Sequence, residues 1–255
     1  MTHHPSFANV RLNVLSLQVE LTPSEDGSSG YEIRSRHPGG IRHETADSTL
    51  RISEKIFSPH RILRMLDRLL GAETSRIVIR VPREETLGEV GLTNVGGGTD
   101  IHGLTCRALE VRTTSGNVAV SASGAECFSA RQTSGRLTVD DCALDAADIG
   151  SSSGAVELTN TRTGGLTIHT TSGKAVVAGV PGGRTDIRTS SGAILLDIAD
   201  RMENYDLDVG VSGGAIYVDG RKHGKAKLTQ TGRRDGGGNA LRLKTAGGDV
   251  KLNFH

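Results

Sequence analysis

Four groupings of residues carry reactive types at suggestive spacing. Gly150-Ser151-Ser152-Ser153-Gly154 matches G-x-S-x-G, the pattern that lifts a serine nucleophile onto a sharp strand-to-helix turn, with an acid and a histidine to follow. Cys106, Cys127 and Cys142, joined by His102 or His169, would supply thiolate and imidazole ligands for a metal such as zinc. Asp148, Asp186 and Asp208 would, on a β-helix, hold calcium or act as acid and base on a polysaccharide. Arg221, Lys222, Lys225, Lys227, Arg233 and Arg234 crowd a stretch around residues 221–239 that includes His223 and Gly236-Gly237-Gly238. Cations at that density suit a solvated hairpin or a patch for an anionic partner: a phosphate polymer, a nucleic acid or an acidic protein.

What these side chains do depends on the elements that position them, and here a repeat dominates. Thr114-Ser115-Gly116, Thr133-Ser134-Gly135, Ser152-Ser153-Gly154, Thr171-Ser172-Gly173 and Ser190-Ser191-Gly192 place their glycines 19 residues apart, and one step back lands on Gly97. The pattern returns at Ser212-Gly213-Gly214 and Ala246-Gly247-Gly248 after gaps of 22 and 34.

Seven and five residues before each glycine lie Val90/Leu92, Leu109/Val111, Phe128/Ala130, Ala147/Ile149, Leu166/Ile168 and Thr185/Ile187. Two and four residues after it lie Thr99/Ile101, Val118/Val120, Leu137/Val139, Val156/Leu158, Ala175/Val177 and Ile194/Leu196. Only Thr99 and Thr185 break the apolar rule, in a chain that is 35% hydrophobic. A spacing of two is the strand period, so each unit reads strand, turn, strand, turn. Two short strands cannot bury their own apolar face, whereas stacked copies bury it in a continuous column. The expected fold is all-β: a single-column parallel β-helix (β-solenoid) with 19-residue coils, plus one short inserted capping helix.

That frame weakens the chemistry. The G-x-S-x-G serine falls on a repeat corner that leads into a strand, and its sister corners keep the serine without the first glycine. The cysteines occupy different positions of the repeat. The aspartates form an outer column beside Arg112, Arg131, His169 and Arg188, which can pair with them, and no aromatic platform for sugar rings accompanies them. No phosphate loop of the G-x-x-x-x-G-K-[ST] type and no H-E-x-x-H motif occurs. Expected, then, are no catalytic, cofactor or metal residues, and no cofactor. The corner serines and threonines are expected to bond turn backbone, the alternative being a hydroxyl array for ice or a polysaccharide.

Before the repeat, residues 1–82 read as antiparallel or solenoid-like strands at 11–21, 31–35, 49–53 and 76–81, forming one region, with 83–255 as the repeats. A helix is expected over 58–71, with Ser58 as N-cap, Pro59 in the first turn and Gly71 past the end. It would cap the open end of the sheets, or dock a partner or an anionic membrane surface through Arg61, Arg64 and Arg68. Met202 to Tyr205 reads as a small bulge.

Composition sets outer limits. Thirty Lys+Arg against 29 Asp+Glu give a net charge of +1, which excludes nucleic-acid binding through bulk charge. Four Phe, three Tyr and no Trp leave the core to small aliphatics. No apolar run is long enough to span a bilayer as a helix. No signal peptide is evident, and an odd number of cysteines without C-x-x-C spacing fits free thiols in a reducing, cytoplasmic setting.

From about Leu12 onward the chain resembles the bacterial β-strand-repeat “putative adhesin” family, domain of unknown function 4097. The resemblance rests on an early alternating strand (15–21), Thr49-Leu50-Arg51-Ile52, Ile77-Val78-Ile79-Arg80-Val81-Pro82 and the tandem T-S-G-x-[VL]-x-[VL] coils. The 58–71 helix and the basic insertion depart from it. The resemblance implies a single-column solenoid without enzymatic activity. The expected function is a scaffold or interaction protein that binds a protein or an anionic polymer. Its rivals are a filament subunit that assembles through coil ends and a polysaccharide-active enzyme.

Overall fold

A computed structural model describes residues 2–3, 6–35, 40–55, 75–232 and 239–255. These residues form 25 strands, and in most of them buried aliphatics alternate with polar residues. The first seven are β1 (Thr2–His3), β2 (Asn9–Val14), β3 (Gln18–Ser24), β4 (Gly30–Arg34), β5 (Ile41–Ala46), β6 (Thr49–Glu54) and β7 (Arg76–Pro82). The repeat supplies β8 (Thr86–Asn94), β9 (Thr99–His102), β10 (Thr105–Thr113), β11 (Val118–Ser121), β12 (Gly124–Gln132) and β13 (Arg136–Asp140). It continues as β14 (Ala143–Ser151), β15 (Ala155–Thr159), β16 (Arg162–Thr170), β17 (Ala175–Gly179), β18 (Pro181–Thr189) and β19 (Ile194–Ile198). Last come β20 (Tyr205–Val211), β21 (Ile216–Val218), β22 (Arg221–His223), β23 (Lys227–Gln230), β24 (Asn239–Thr245) and β25 (Val250–Phe254). The one helical turn among the described residues, 3-10 in type, is Met202–Asn204, where the sequence suggests only a bulge. The helix expected over 58–71 lies outside the described residues.

The strands form a 13-stranded and a 12-stranded sheet. Through the repeat, even-numbered strands go to one sheet and odd-numbered strands to the other, all parallel, with Cα partners such as Val118↔Leu137 and Leu109↔Phe128 lying 19 residues apart. The single slip in this run is a bulge between Thr163 and Gly165. All 24 flanking positions named from the sequence are buried, and the 22 apolar ones belong to one cluster that runs from Phe7 to Leu252. The early strands join the same two sheets: β2 and β3 pair with β8 and β9. The segment 11–21, which reads as one strand, is two, with a corner near Leu15 to Leu17 that sends β2 and β3 to different sheets.

The layers do not follow chain order at the ends. The β2–β3 layer sits between β6–β7 and β8–β9, and the β24–β25 layer sits between β18–β19 and β20–β21. Stacking therefore runs from Gly192 to Gly248 to Gly214, not through Gly214 first. The first and last full layers in the chain are thus each tucked one layer in, while the short β1 lies at the edge of the 13-stranded sheet, paired with β4. The outermost layers are in turn covered by antiparallel strands: β4 on β7, β5 on β6, β22 on β21 and β23 on β20. The bare parallel edge imagined as a template for further coils is absent among the described residues. Short or charged edge strands are the usual means of blocking edge-to-edge pairing.

The corner glycines answer to crowding rather than to an unusual φ. A Cβ on Gly116, Gly173 or Gly192 would run into the carbonyl oxygen of Gly97, Gly154 or Gly173 on the layer before. Among the repeat-corner glycines, only Gly135 has a left-handed φ, +106°. Three residues ahead of each corner glycine except Gly214, which follows Val211, stands a buried polar side chain that the sequence pattern did not single out. Thr113, Ser151, Thr170, Thr189 and Thr245 each accept the glycine N–H at 2.9–3.1 Å, as does Asn94 Oδ1 for Gly97. Gln132, the odd member, donates instead to Ser151 Oγ at 3.2 Å and the Ala155 carbonyl at 3.1 Å. This inner polar ladder satisfies donors that the tight corner would otherwise strand in the core.

Candidate partner-binding site

The basic stretch becomes a cap on the C-terminal end of the column. β21 turns into β22 through Asp219 and Gly220, whose φ values of +48° and +74° are those of a tight two-residue hairpin. The Asp219 carboxylate accepts the Phe254 N–H at 2.9 Å and so ties the turn to β25. Register then fixes Arg221 opposite Val218 and Lys222 opposite Tyr217. β23 covers the other sheet at the same end, with Lys227 opposite Gly210 and Leu228 opposite Val209. Lys225 lies on the connection between β22 and β23. All four cations are exposed. A hollow of 540 Å³ is lined by Val218, Asp219, Arg221, Lys222 and His223. The structure thus brings Arg221, Lys222, Lys225 and Lys227 to one end. Arg233 and Arg234 lie outside the described residues.

Many charges elsewhere on the column are paired, although Arg107, Arg162 and Lys174 make no ion pair among the described residues. Arg11 meets Glu89 at 3.1 Å, Arg76 meets Glu20 at 3.0 Å, and Arg112 meets Glu110 at 2.5 Å. Arg131 meets Asp148, and Arg242 meets Asp208 at 3.4 Å. Among the described residues none of Arg221, Lys222, Lys225 and Lys227 makes an ion pair.

The other reactive groupings come apart. Ser151 is buried, its hydroxyl bonded to both the N–H and the carbonyl of Gly154 at 3.0 Å, and Ser152 sits on a strand-to-strand corner. That is not the strand-to-helix turn a serine nucleophile needs. Cys106 and Cys142 are buried and Cys127 is exposed. Burial pushes the Cys106 thiol up to about 11 and also raises Cys142. No group of three or more His, Cys, Asp or Glu placed to hold a metal occurs among the described residues. Asp148 and Asp208 each face arginine. Asp186 is not on a solvated face: it is 7% exposed, with Arg188 hydrogen-bonded to it and Arg184 at 3.7 Å. Burial works to raise its pKa, but the Arg188 hydrogen bonds and the charges of Arg188, Arg242 and Arg184 outweigh it and hold the carboxyl below the usual range.

Compared with known proteins, residues 7–253 match the family model described as Toastrack DUF4097. Among solved structures, a “putative adhesin” from Parabacteroides distasonis is 13% identical, with 99% of this chain and 95% of that chain covered and a TM-score of 0.50. A “putative lipid binding protein” from the same organism is also 13% identical, covering 99% and 96% at a TM-score of 0.50. A “putative adhesin” from Bacteroides fragilis is 16% identical, covering 99% and 96% at 0.46. At these identities the likeness is one of fold. No curated protein matches the chain.

Proposed function

We propose that this chain, which belongs to the Toastrack DUF4097 family, is a non-enzymatic interaction scaffold that binds an anionic partner through the basic cap at its C-terminal end. On this reading it is a single column wound in 19-residue coils, a shape that offers long rigid faces and no converging pocket. The observation that supports it is the contrast in charge pairing. Many cations along the column meet carboxylates, and unpaired ones such as Arg107, Arg162 and Lys174 are spread over different strands and corners, whereas Arg221, Lys222, Lys225 and Lys227 gather at one end without such partners among the described residues. Unpaired cations on rigid strands concentrate positive potential, which attracts polyanions and steers their approach. Three free cysteines, one of them exposed, fit a reducing compartment, and a cytoplasmic location is part of this proposal.

The test is binding of fluorescent long-chain polyphosphate. The wild-type chain should bind, more weakly as salt rises. The variant Arg221→Gln/Lys222→Gln/Lys225→Gln/Lys227→Gln should bind about tenfold or more weakly, as expected when several interface charges are removed together. Equal binding by the two would overturn the cap as the site.

A further inference from the structure

The repeat carries three hydroxyl columns at its corner, and the middle one has no task in the fold; in the column that follows it, the Ser115 and Ser134 hydroxyls donate to the Val95 and Thr114 carbonyls. The inner ladder, Thr113, Ser151, Thr170 and Thr189, is spent on the glycine N–H groups. One residue further along the chain stand Thr114, Thr133, Ser152, Thr171 and Ser190, all exposed. Their side chains make no hydrogen bond among the described residues. The corner backbone around them is already closed: Ser134, Ser153, Ser172 and Ser191 donate their N–H groups at 2.8 Å to the carbonyls of Thr114, Thr133, Ser152 and Thr171. Neither packing nor turn chemistry calls for a hydroxyl at these positions, yet five consecutive layers present one.

One pleat away runs a basic column in register. Arg112 pairs with Arg131, and His169 with Arg188, across neighbouring strands. Gly150 interrupts this column, and the Arg131 side chain lies across the gap, so that a Cβ on Gly150 would come within 2.9 Å of Arg131 Cδ. A groove of 470 Å³ runs between the two columns from Thr93 to His169. The guanidiniums lean toward Glu110, Asp148 and Asp186 on the side away from the hydroxyls. Each carboxylate engages part of a five-donor group and fixes its direction, leaving further N–H donors for a ligand.

We propose that these two columns form a rail that holds one linear acidic polysaccharide lengthwise. Neighbouring layers repeat at ~4.8 Å, so five hydroxyls span about 19 Å. A pyranose chain offers hydroxyls at every ring at a comparable repeat, and a uronate adds one carboxylate per ring for the basic column. No aromatic side chain lines the groove, so recognition proceeds by hydrogen bonds and charge. Many weak contacts in a row reach useful affinity once one end is bound. The rail is a surface separate from the C-terminal cap, and it extends the scaffold reading by naming a polymer for the long face.

The test uses the full chain and polygalacturonate oligomers of rising length, with dextran as the neutral comparison, in titration calorimetry. Binding should strengthen with oligomer length and level off once the rail is spanned, and dextran should bind far more weakly. Arg131→Gln, and separately Thr133→Val/Ser152→Ala, should weaken polygalacturonate binding about tenfold, that is by about 1.4 kcal/mol, with melting temperatures unchanged. The cap variant should lose at most the attraction its charges exert on any polyanion and should keep the dependence on oligomer length. No binding to polygalacturonate, equal binding of dextran, undiminished binding by the rail variants, or a loss found only in the cap variant would each overturn the rail. The last of these would leave the cap standing.

Discussion

The Asp186 carboxylate accepts two hydrogen bonds from the Arg188 guanidinium, Nε to Oδ1 and Nη2 to Oδ2, each 2.8 Å. Sequence reading places this aspartate in an outer column beside basic residues that can pair with it. With the carboxylate almost covered and Arg184 and Arg242 also near, Asp186→Asn should destabilise the chain by about 1.5–3 kcal/mol, the range for hydrogen bonds to charged groups. Urea denaturation of the single variants and of the double variant with Arg188→Gln measures the coupling.

The same carboxylate adds an acid dependence. Its folded-state pKa lies below the unfolded value, so its contribution is complete above the ordinary aspartate pKa of about 4 and is lost as pH falls through the lowered value. Denaturation from pH 7 down to pH 2 should show that this part of the decline is missing in Asp186→Asn.

Two glycine-to-alanine variants should move in opposite directions. At Gly192 the new methyl meets the Gly173 carbonyl, and melting should drop with a cost of about 2 kcal/mol or more, as for overpacking. At Gly210 nothing lies within 4 Å, and alanine should be neutral or stabilise by about 0.5 kcal/mol. Equal melting temperatures for the two variants would contradict the layer spacing described above.

Two buried threonines make a second opposed pair. Thr189 Oγ1 accepts the Gly192 N–H at 2.9 Å, so Thr189→Val strands that donor and should cost about 1–3 kcal/mol, with recovery in Thr189→Ser. Thr185 Oγ1 is buried with no partner, and Thr185→Val should raise the melting temperature.

Thiol titration of the native chain should find one fast group. Cys127 is exposed, while Cys106 and Cys142 are buried and held protonated by desolvation. Cys127→Ser should abolish the fast phase, and urea should release the other two.

Much of the architecture is legible in the residues. Val118, Leu137 and Val156 stand one above the next in register because a two-residue spacing inside a fixed-length unit admits little else. Layer order at the ends is not legible: Gly214 and Gly248 have similar surroundings in sequence, and the gaps of 22 and 34 do not say which winds first. The inner ladder is hidden for a different reason. Thr113, Ser151 and Thr170 look like part of the polar corner, and only the backbone path turns them inward. Asp186 shares its column with Asp148, and burial by neighbouring side chains, not the pattern, separates the two. The basic residues are conspicuous in sequence, but their division between caps on two sheets follows from pairing across the end layer.

The tucked ends bear on how such a molecule changes length over generations. A coil wound strictly from first residue to last can gain a turn by simple addition at either terminus. Here the first full layer in the chain, β2–β3, and the last, β24–β25, are each enclosed by later or earlier chain, so a unit added beside either would find its neighbouring places taken. Duplication of a unit between Gly97 and Gly192 meets no such obstacle, since every interface it needs is already repeated there. Lengthening is therefore confined to the middle, while the two tips are inherited as fixed fittings.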